Sequence, residues 1–167
     1  AKQLIDYIYH RYIFDFEDMT QFPKDLRQWL NDNCVISLPT LITESIAPDG
    51  KTRKILVEMT DQSRVEAVLM EQHYGYSVCV SSQVGCAMGC VFCASTQGGL
   101  YRDLTVAEII GQVVIFGALT KEEIHSVVVM GAGEPLQNYD NVLQALQLLH
   151  DPMICNISYR KMTISTC

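Results

Sequence analysis

Tyr76-Ser77-Val78-Cys79-Val80-Ser81-Ser82-Gln83-Val84-Gly85-Cys86-Ala87-Met88-Gly89-Cys90-Val91-Phe92-Cys93 decides how the rest of the chain is read. Its first six residues form the short apolar run of a buried strand, and they lead into three cysteines spaced Cys-x3-Cys-x2-Cys among glycines. Downstream, Thr105 to about Leu119 reads as an amphipathic helix, opened by Thr105 and Glu108 at capping-box spacing. Ser126-Val127-Val128-Val129-Met130 is a near-continuous apolar strand, as in a parallel sheet covered on both faces. Asn141 to His150 is the next helix, and Lys161-Met162-Thr163-Ile164-Ser165-Thr166 begins another strand. This alternation predicts an α/β fold, a partial βα barrel or a doubly wound sheet. A sheet ending on that last strand would have an exposed edge and an open core, so the expectation is a truncated barrel. The alternative is a small three-stranded sheet complete in itself.

Upstream of Gly75 the pattern differs. Leu4, Ile5, Ile8, Tyr9 and Tyr12 recur at helical spacing, and Phe22-Pro23-Lys24-Asp25-Leu26 starts a second helix through Leu30. Leu41–Ile46 and Lys54–Met59 flank the turn residues Pro48-Asp49-Gly50-Lys51, which predicts a hairpin. Asp61-Gln62-Ser63 turns the chain into a third antiparallel strand, Arg64–Met70. The expected organisation is a small α+β accessory domain over 1–72 and the first half of a barrel over 73–167.

With 167 residues, 49% of them hydrophobic, the chain can bury a core. No apolar run long enough to span a membrane and no signal-peptide pattern appear, so a soluble cytoplasmic protein is expected. The net charge of −7 is a countersignal to a nucleic-acid partner. Basic spots at Lys51, Arg53 and Lys54, and at Arg160 and Lys161, read most simply as solvated turns or strand ends.

Seven cysteines are many, but the number is odd and three crowd into eight positions, unlike a disulfide framework. Structural zinc usually takes four closing ligands, whereas here no second Cys-x2-Cys pair exists and no histidine lies within 12 residues of Cys86. Three thiolates suit a four-iron cluster that keeps one iron open, free to take the amino and carboxylate groups of S-adenosylmethionine (SAM). Zinc completed by Cys79 and inert buried cysteines are the alternatives. Gly131-Ala132-Gly133-Glu134-Pro135 follows the second parallel strand, at the carboxyl end of a sheet strand where a ligand is expected, and suits the SAM amino group.

Together these stretches resemble the RlmN/Cfr group of radical SAM enzymes, which methylate an adenine of 23S ribosomal RNA. Val78 to Cys86 looks like the family's lead-in, Phe92-Cys93-Ala94-Ser95-Thr96 its exit, Gly131 to Asn138 its glycine-glutamate-proline motif and Thr163-Ile164-Ser165-Thr166 its next strand. The likeness extends to Arg64-Val65-Glu66-Ala67-Val68 and to the helical start. Glu134-Pro135-Leu136 and Cys90-Val91-Phe92-Cys93 look like the dual-specificity branch that methylates carbon 2 of adenine in ribosomal and transfer RNA; the antibiotic-resistance branch, acting at carbon 8, is less similar. Ala132 departs from the family, which often carries methionine there, and a small side chain at that position is expected to loosen packing around SAM.

The resemblance implies a radical SAM partial (βα) barrel, cluster ligands Cys86, Cys90 and Cys93, and SAM contacts from Phe92, Gly133, Glu134 and Ser165. It implies methyl transfer through a methyl-carrying cysteine with no counterpart in this sequence. A second cysteine then releases the protein–RNA adduct while a base removes the ring proton, roles that Cys79 and Glu66 match. Without the resemblance, Cys79 reads as a buried small hydrophobe and Glu66 as a solvent-facing strand residue. The partners implied are ribosomal RNA and transfer RNA with an electron donor for the cluster, no membrane, and a monomer when complete. The chain by itself is expected to bind a cluster without methylating RNA. Tyr101 and Arg102 are candidates for stacking on a base or pairing with phosphate, although a solvated loop is the simpler reading. A non-catalytic metal-stabilised binding module and a different radical SAM reaction are the competing functions.

Overall fold

The computed structural model describes residues 1–167. Its first helix, α1 (Lys2–Tyr9), ends sooner than the apolar spacing suggests, because Tyr12 takes a left-handed backbone (φ 54). A 3-10 turn at Phe16–Asp18 follows, capped by the Asp15 carboxylate, which accepts from the Glu17 N–H at 2.9 Å. α2 (Lys24–Asn33) completes the module. The breaks let Tyr7, Phe16, Met19 and Leu30 meet in a small core of their own, which one unbroken helix could not close.

Six of the strands form one sheet. β1 (Thr40–Ile46), β2 (Thr52–Glu58), β3 (Arg64–Gln72) and β4 (Gly75–Val80) are antiparallel neighbours; β7 (Ile124–Val129) and β8 (Met162–Ile164) continue in parallel, in the order β1-β2-β3-β4-β7-β8. The sheet runs straight through the expected division at 72/73, since Gln72 pairs with Gly75 and Val68 with Cys79. Between β4 and β7 lie a short ribbon, β5 (Gln83–Gly85) with β6 (Leu100–Asp103), and the helix α3 (Val106–Thr120). α4 (Tyr139–His150) links β7 to β8. The ribbon is absent from the sequence reading, because three- and four-residue strands carry too little alternation to register.

α3 opens on the expected capping box: the Thr105 hydroxyl accepts from the Glu108 N–H while the Glu108 carboxylate accepts from the Thr105 N–H. It is not amphipathic, however. Ile109 to Phe116 and Gly117 are buried without interruption, the mark of a helix covered all round. One side packs on the sheet; the other is closed by the N-terminal segment, with Pro39 against Gly111 and Tyr12 against Gly117, where any larger residue would collide. No helix is long and apolar enough to cross a membrane.

Candidate active site and metal centre

Strand β4 ends at Val80 and hands over to Ser81-Ser82-Gln83, three polar residues that are nonetheless at most 1% exposed. Buried polar groups need partners, and these have specific ones, except the Ser82 hydroxyl, which has none. Gln112 of α3, itself fully buried, accepts from the Ser81 N–H at 2.9 Å and donates to the Ser81 carbonyl at 3.1 Å, continuing the sheet's pairing with a side chain. The Ser81 hydroxyl donates to the Glu66 carbonyl at 2.8 Å and accepts from the Ala132 N–H at 2.9 Å. Gln83 donates to Asp103 at 2.7 Å and accepts from the Glu134 N–H at 2.8 Å. Asn138 donates to the carbonyls of Ser82 and Leu104 at 2.7 and 2.8 Å. The amino end of β3 and the loops at the carboxyl ends of β4 and β7 are therefore locked to one another. Gln83 and Asn138 lie inside stretches the sequence singles out but carry no role there, and Gln112 lies outside them, since the partners that give these three their roles lie 20 to 56 residues away.

From this lattice the cysteine loop projects through a neck formed by β5 and β6. The Cys86 N–H donates to the Gly99 carbonyl at 3.1 Å, and Gly85 and Gly99 take left-handed φ of 76° and 69° to bring the strands of the neck together. Beyond it, the Cys93 N–H donates to the Cys90 carbonyl at 3.0 Å and the Thr96 hydroxyl to the Cys93 carbonyl at 3.0 Å, so the second and third cysteines share one tight turn. Cys86 is buried, Cys90 and Cys93 are half-buried, and Val91 and Phe92 stand out at the tip. A cavity of about 190 Å³ is lined by all three cysteines together with Phe92, Gly133, Glu134 and Ser165. No three side chains of metal-binding type converge on a single ion's coordination sphere. A four-iron cluster asks for something else, one thiolate at each of three separate irons, and the Cys86, Cys90 and Cys93 thiols around one cavity match that donor set, with the Cys167 thiol a fourth sulfur at its edge.

Glu134 is 5% exposed in this cavity. Burial pushes its carboxyl up, but the Cys167 and Leu136 N–H groups and the Thr166 hydroxyl all donate to it, at 3.0, 2.9 and 2.7 Å, and together hold it below the usual carboxylate range. It is thus an anion at neutral pH, as an ammonium partner requires. The glycines beside it have a reason within the fold as well as the one the sequence suggested. A side chain at Gly131 would strike Ser81 and one at Gly133 would strike Gln83, so they admit the chain's own β4–β5 loop.

Cys79 and Glu66 face away from the helices, on the open side of the sheet, and line a second cavity of about 430 Å³. Cys93, Ser95, Met130 and Gly131 border both cavities. Burial pushes the Cys79 thiol up, against the opposing effect of a hydrogen bond with the Met130 backbone, so it rests protonated and needs a base to become a nucleophile. Glu66 is exposed and sits 2.8 Å from the Lys54 ammonium. Ala132 also lines this second cavity and is absent from the lining of the first, so its small side chain opens space beside Glu66 and Cys79 and leaves the Glu134 cavity untouched.

Arg102 is not available to a phosphate. Its guanidinium is engaged by Asp61 at 2.6 Å and Glu108 at 2.8 Å, while Tyr101 beside it is exposed. Burial keeps the remaining cysteines unreactive in one case: Cys155 is pushed up to about 12. The Cys167 thiol, by contrast, lies 3.7 Å from Cys90 in the first cavity.

Comparison with known proteins bears on this geometry. The model of the radical SAM superfamily matches residues 80–167, and that of the ribosomal RNA large subunit methyltransferase N-terminal domain matches residues 1–36. Over 99% of its length the chain is 49% identical to a probable dual-specificity RNA methyltransferase RlmN of Symbiobacterium thermophilum, covering 45% of that protein. Over its full length it is 45% identical to a protein of the same name from Clostridium perfringens strain 13, covering 48% of it. A solved radical SAM methyltransferase from Sphaerobacter thermophilus superposes with a TM-score of 0.91 at 36% identity, covering 99% of this chain and 49% of that one. The chain spans about half the length of the curated relatives it matches.

Proposed function

We propose, from the premise that the chain belongs to the radical SAM superfamily, that it is the cluster-bearing part of an RNA methyltransferase that modifies carbon 2 of an adenine in 23S ribosomal RNA and in transfer RNA. The observation that carries this reading is the shared wall of the two cavities: Cys93, Ser95, Met130 and Gly131 separate the expected cluster and SAM residues from Glu66 and Cys79. Cys86, Cys90 and Cys93 would hold the [4Fe–4S] cluster, and Phe92, Gly133, Glu134 and Ser165 would hold SAM, with the Glu134 carboxylate taking the amino group. A cluster held there and reduced by an electron donor would supply the electron for reductive cleavage of SAM.

The chain's own residues act on the far side of that wall. Glu66 takes the ring proton of the protein–RNA adduct, an acid–base step that calls for a carboxylate within reach of the substrate. Its exposure suits a base that meets an incoming RNA base at the open face. The Cys79 thiol, protonated at rest, loses its proton to solvent and its sulfur bonds to that of the methyl-carrying cysteine, which is supplied from outside residues 1–167. The adduct's sulfur–carbon bond breaks, its electron pair passes to the former methylene carbon, and that carbon takes a proton from solvent to become the methyl group, leaving a disulfide. Ala132 leaves room for the flat ring between them. An RNA substrate fits a cytoplasmic enzyme, and a monomer suffices for the chemistry.

The test is elemental and kinetic together. After anaerobic reconstitution, the protein should hold about four irons and four sulfides per chain. In the complete enzyme, Cys79→Ala should keep that iron, still cleave SAM and accumulate protein crosslinked to labelled RNA on a denaturing gel. One zinc and no iron would make the loop a structural metal module instead. Lost iron in Cys79→Ala would make Cys79 a ligand, and normal turnover would return it to a packing role.

A further inference from the structure

Arg102 sits on β6 opposite Val84, in the neck through which the cysteine loop leaves the sheet. One edge of its guanidinium grips Asp61, with Nε donating to Oδ2 at 2.6 Å and Nη2 to Oδ1 at 3.0 Å. Nη1 and Nη2 also donate to the two carboxylate oxygens of Glu108, at 2.9 and 2.8 Å. Two further donations, to the Ser63 hydroxyl and the Asp103 carbonyl, are both 3.0 Å long. Lysine could not reproduce this, because only a planar fork meets two carboxylates two-pronged at once.

Both arms lead to Glu66. Asp61 and Ser63 make the β2–β3 turn, held in a tight Asx turn by the Ser63 N–H on Asp61 at 3.0 Å, and Glu66 lies three residues beyond Ser63 on β3. Glu108 is the capping-box residue of α3; one turn later Gln112 pairs with both peptide groups of Ser81, whose hydroxyl donates to the Glu66 carbonyl. One side chain at the neck of the cluster loop is thus tied to the Glu66 strand by two separate routes. Neither route is needed to form the loop itself, whose own turns and neck hydrogen bonds are local.

We propose that Arg102 is a positioning residue that fixes the cluster loop relative to the strand carrying Glu66, so that the SAM side and the substrate side of the shared wall stay in register; this rests on the reading of Glu66 and Cys79 given above. Its consequence is a division between two outputs. SAM opening depends on the cysteine loop and the segments after β7 and β8, whereas methyl transfer depends on these and β3 together, and a displacement of about 1 Å between reacting groups can lower a rate about a hundredfold.

The experiment uses the complete enzyme with Arg102→Lys, Arg102→Gln and Asp61→Asn. Iron content and 5′-deoxyadenosine formation should stay near wild type, methylated RNA should fall about a hundredfold in both Arg102 variants, and the deoxyadenosine formed per methyl group should rise accordingly. Asp61→Asn, which weakens one arm, should show the same shift to a smaller degree. On the protein without cluster, amide exchange should rise together in Asp61–Arg64 and Leu100–Asp103. An unchanged ratio in Arg102→Gln, or full rescue by Arg102→Lys, would overturn the proposal, as would loss of iron in both Arg102→Gln and Asp61→Asn, which would make the cluster loop's stability the whole of its role. Glu66→Ala in the same assay separates the two readings: normal methylation there removes Glu66 as the base, whereas a Glu66 defect beside an unaltered Arg102 ratio removes only the strut.

Discussion

On the helix side of the sheet, Val65, Ala67 and Leu69 of β3, Val78 and Val80 of β4, and Val127 and Val129 of β7 are at most 4% exposed. One residue along, on the same strands, Glu66, Val68, Cys79 and Val128 are half-buried or exposed and face the open side. The two-residue period of a strand puts these sets on opposite faces, so a strand can carry packing and chemistry without either compromising the other. Helices α3 and α4 cover the first face and complete its core. The second is left to cavities, and its polar groups have room to meet a ligand.

The largest test of that division is the cysteine loop. In the complete enzyme, Cys86→Ala, Cys90→Ala or Cys93→Ala should remove iron and SAM cleavage together while the fold, measured by circular dichroism, stays intact, because none of the three belongs to the helix-side core. SAM cleavage retained by any of them would break the comparison. On the packed face the effect should be structural instead. Phe116→Ala, in the middle of α3 and fully buried, should cost about 3–5 kcal/mol by urea unfolding. Cys79→Ala on the open face should cost about 1 kcal/mol or less, and a larger loss would mean that Cys79 is a core residue after all. Thr105→Ala removes the hydroxyl half of the α3 capping box and should lower the unfolding free energy by about 1 kcal/mol with SAM cleavage unchanged.

The smallest expected effect is in acid. The Arg102 guanidinium holds the Asp61 carboxyl well below the usual range; burial would raise Glu108, but Arg102 and Thr105 bring it down. Both folded-state values are depressed, so their contribution to stability is present above the ordinary carboxylate pKa of about 4 and is lost as pH falls through the folded values. Arg102→Gln should therefore flatten the fall in stability below about pH 4 relative to wild type, followed by thermal unfolding across a pH series. An identical slope in the two proteins would show that the carboxylates are not held by Arg102.

Much of the frame was legible in local pattern. The capping box at Thr105 and Glu108, the hairpin around Pro48-Asp49-Gly50-Lys51 and the apolar run Val127-Val128-Val129 each sit where a short window of sequence points. The amphipathic reading of α3 failed because nothing within Val106–Thr120 says that Pro39 and Tyr12 will cover its second side. Arg102 looked free for phosphate for the same reason: Asp61 lies 41 residues away in the chain. What the sequence by itself determined is the order of the longer strands and helices, the cysteine spacing and the glycines of the turns, all of which depend on neighbours within a few residues. Only the tertiary structure decided that the antiparallel and parallel strands share one sheet, that Glu66 and Cys79 border the same cavity wall as Cys93, and that Gln83, Gln112 and Asn138 hold the loops in place. Those are contacts between distant segments, set by which buried polar groups find partners once the core has closed.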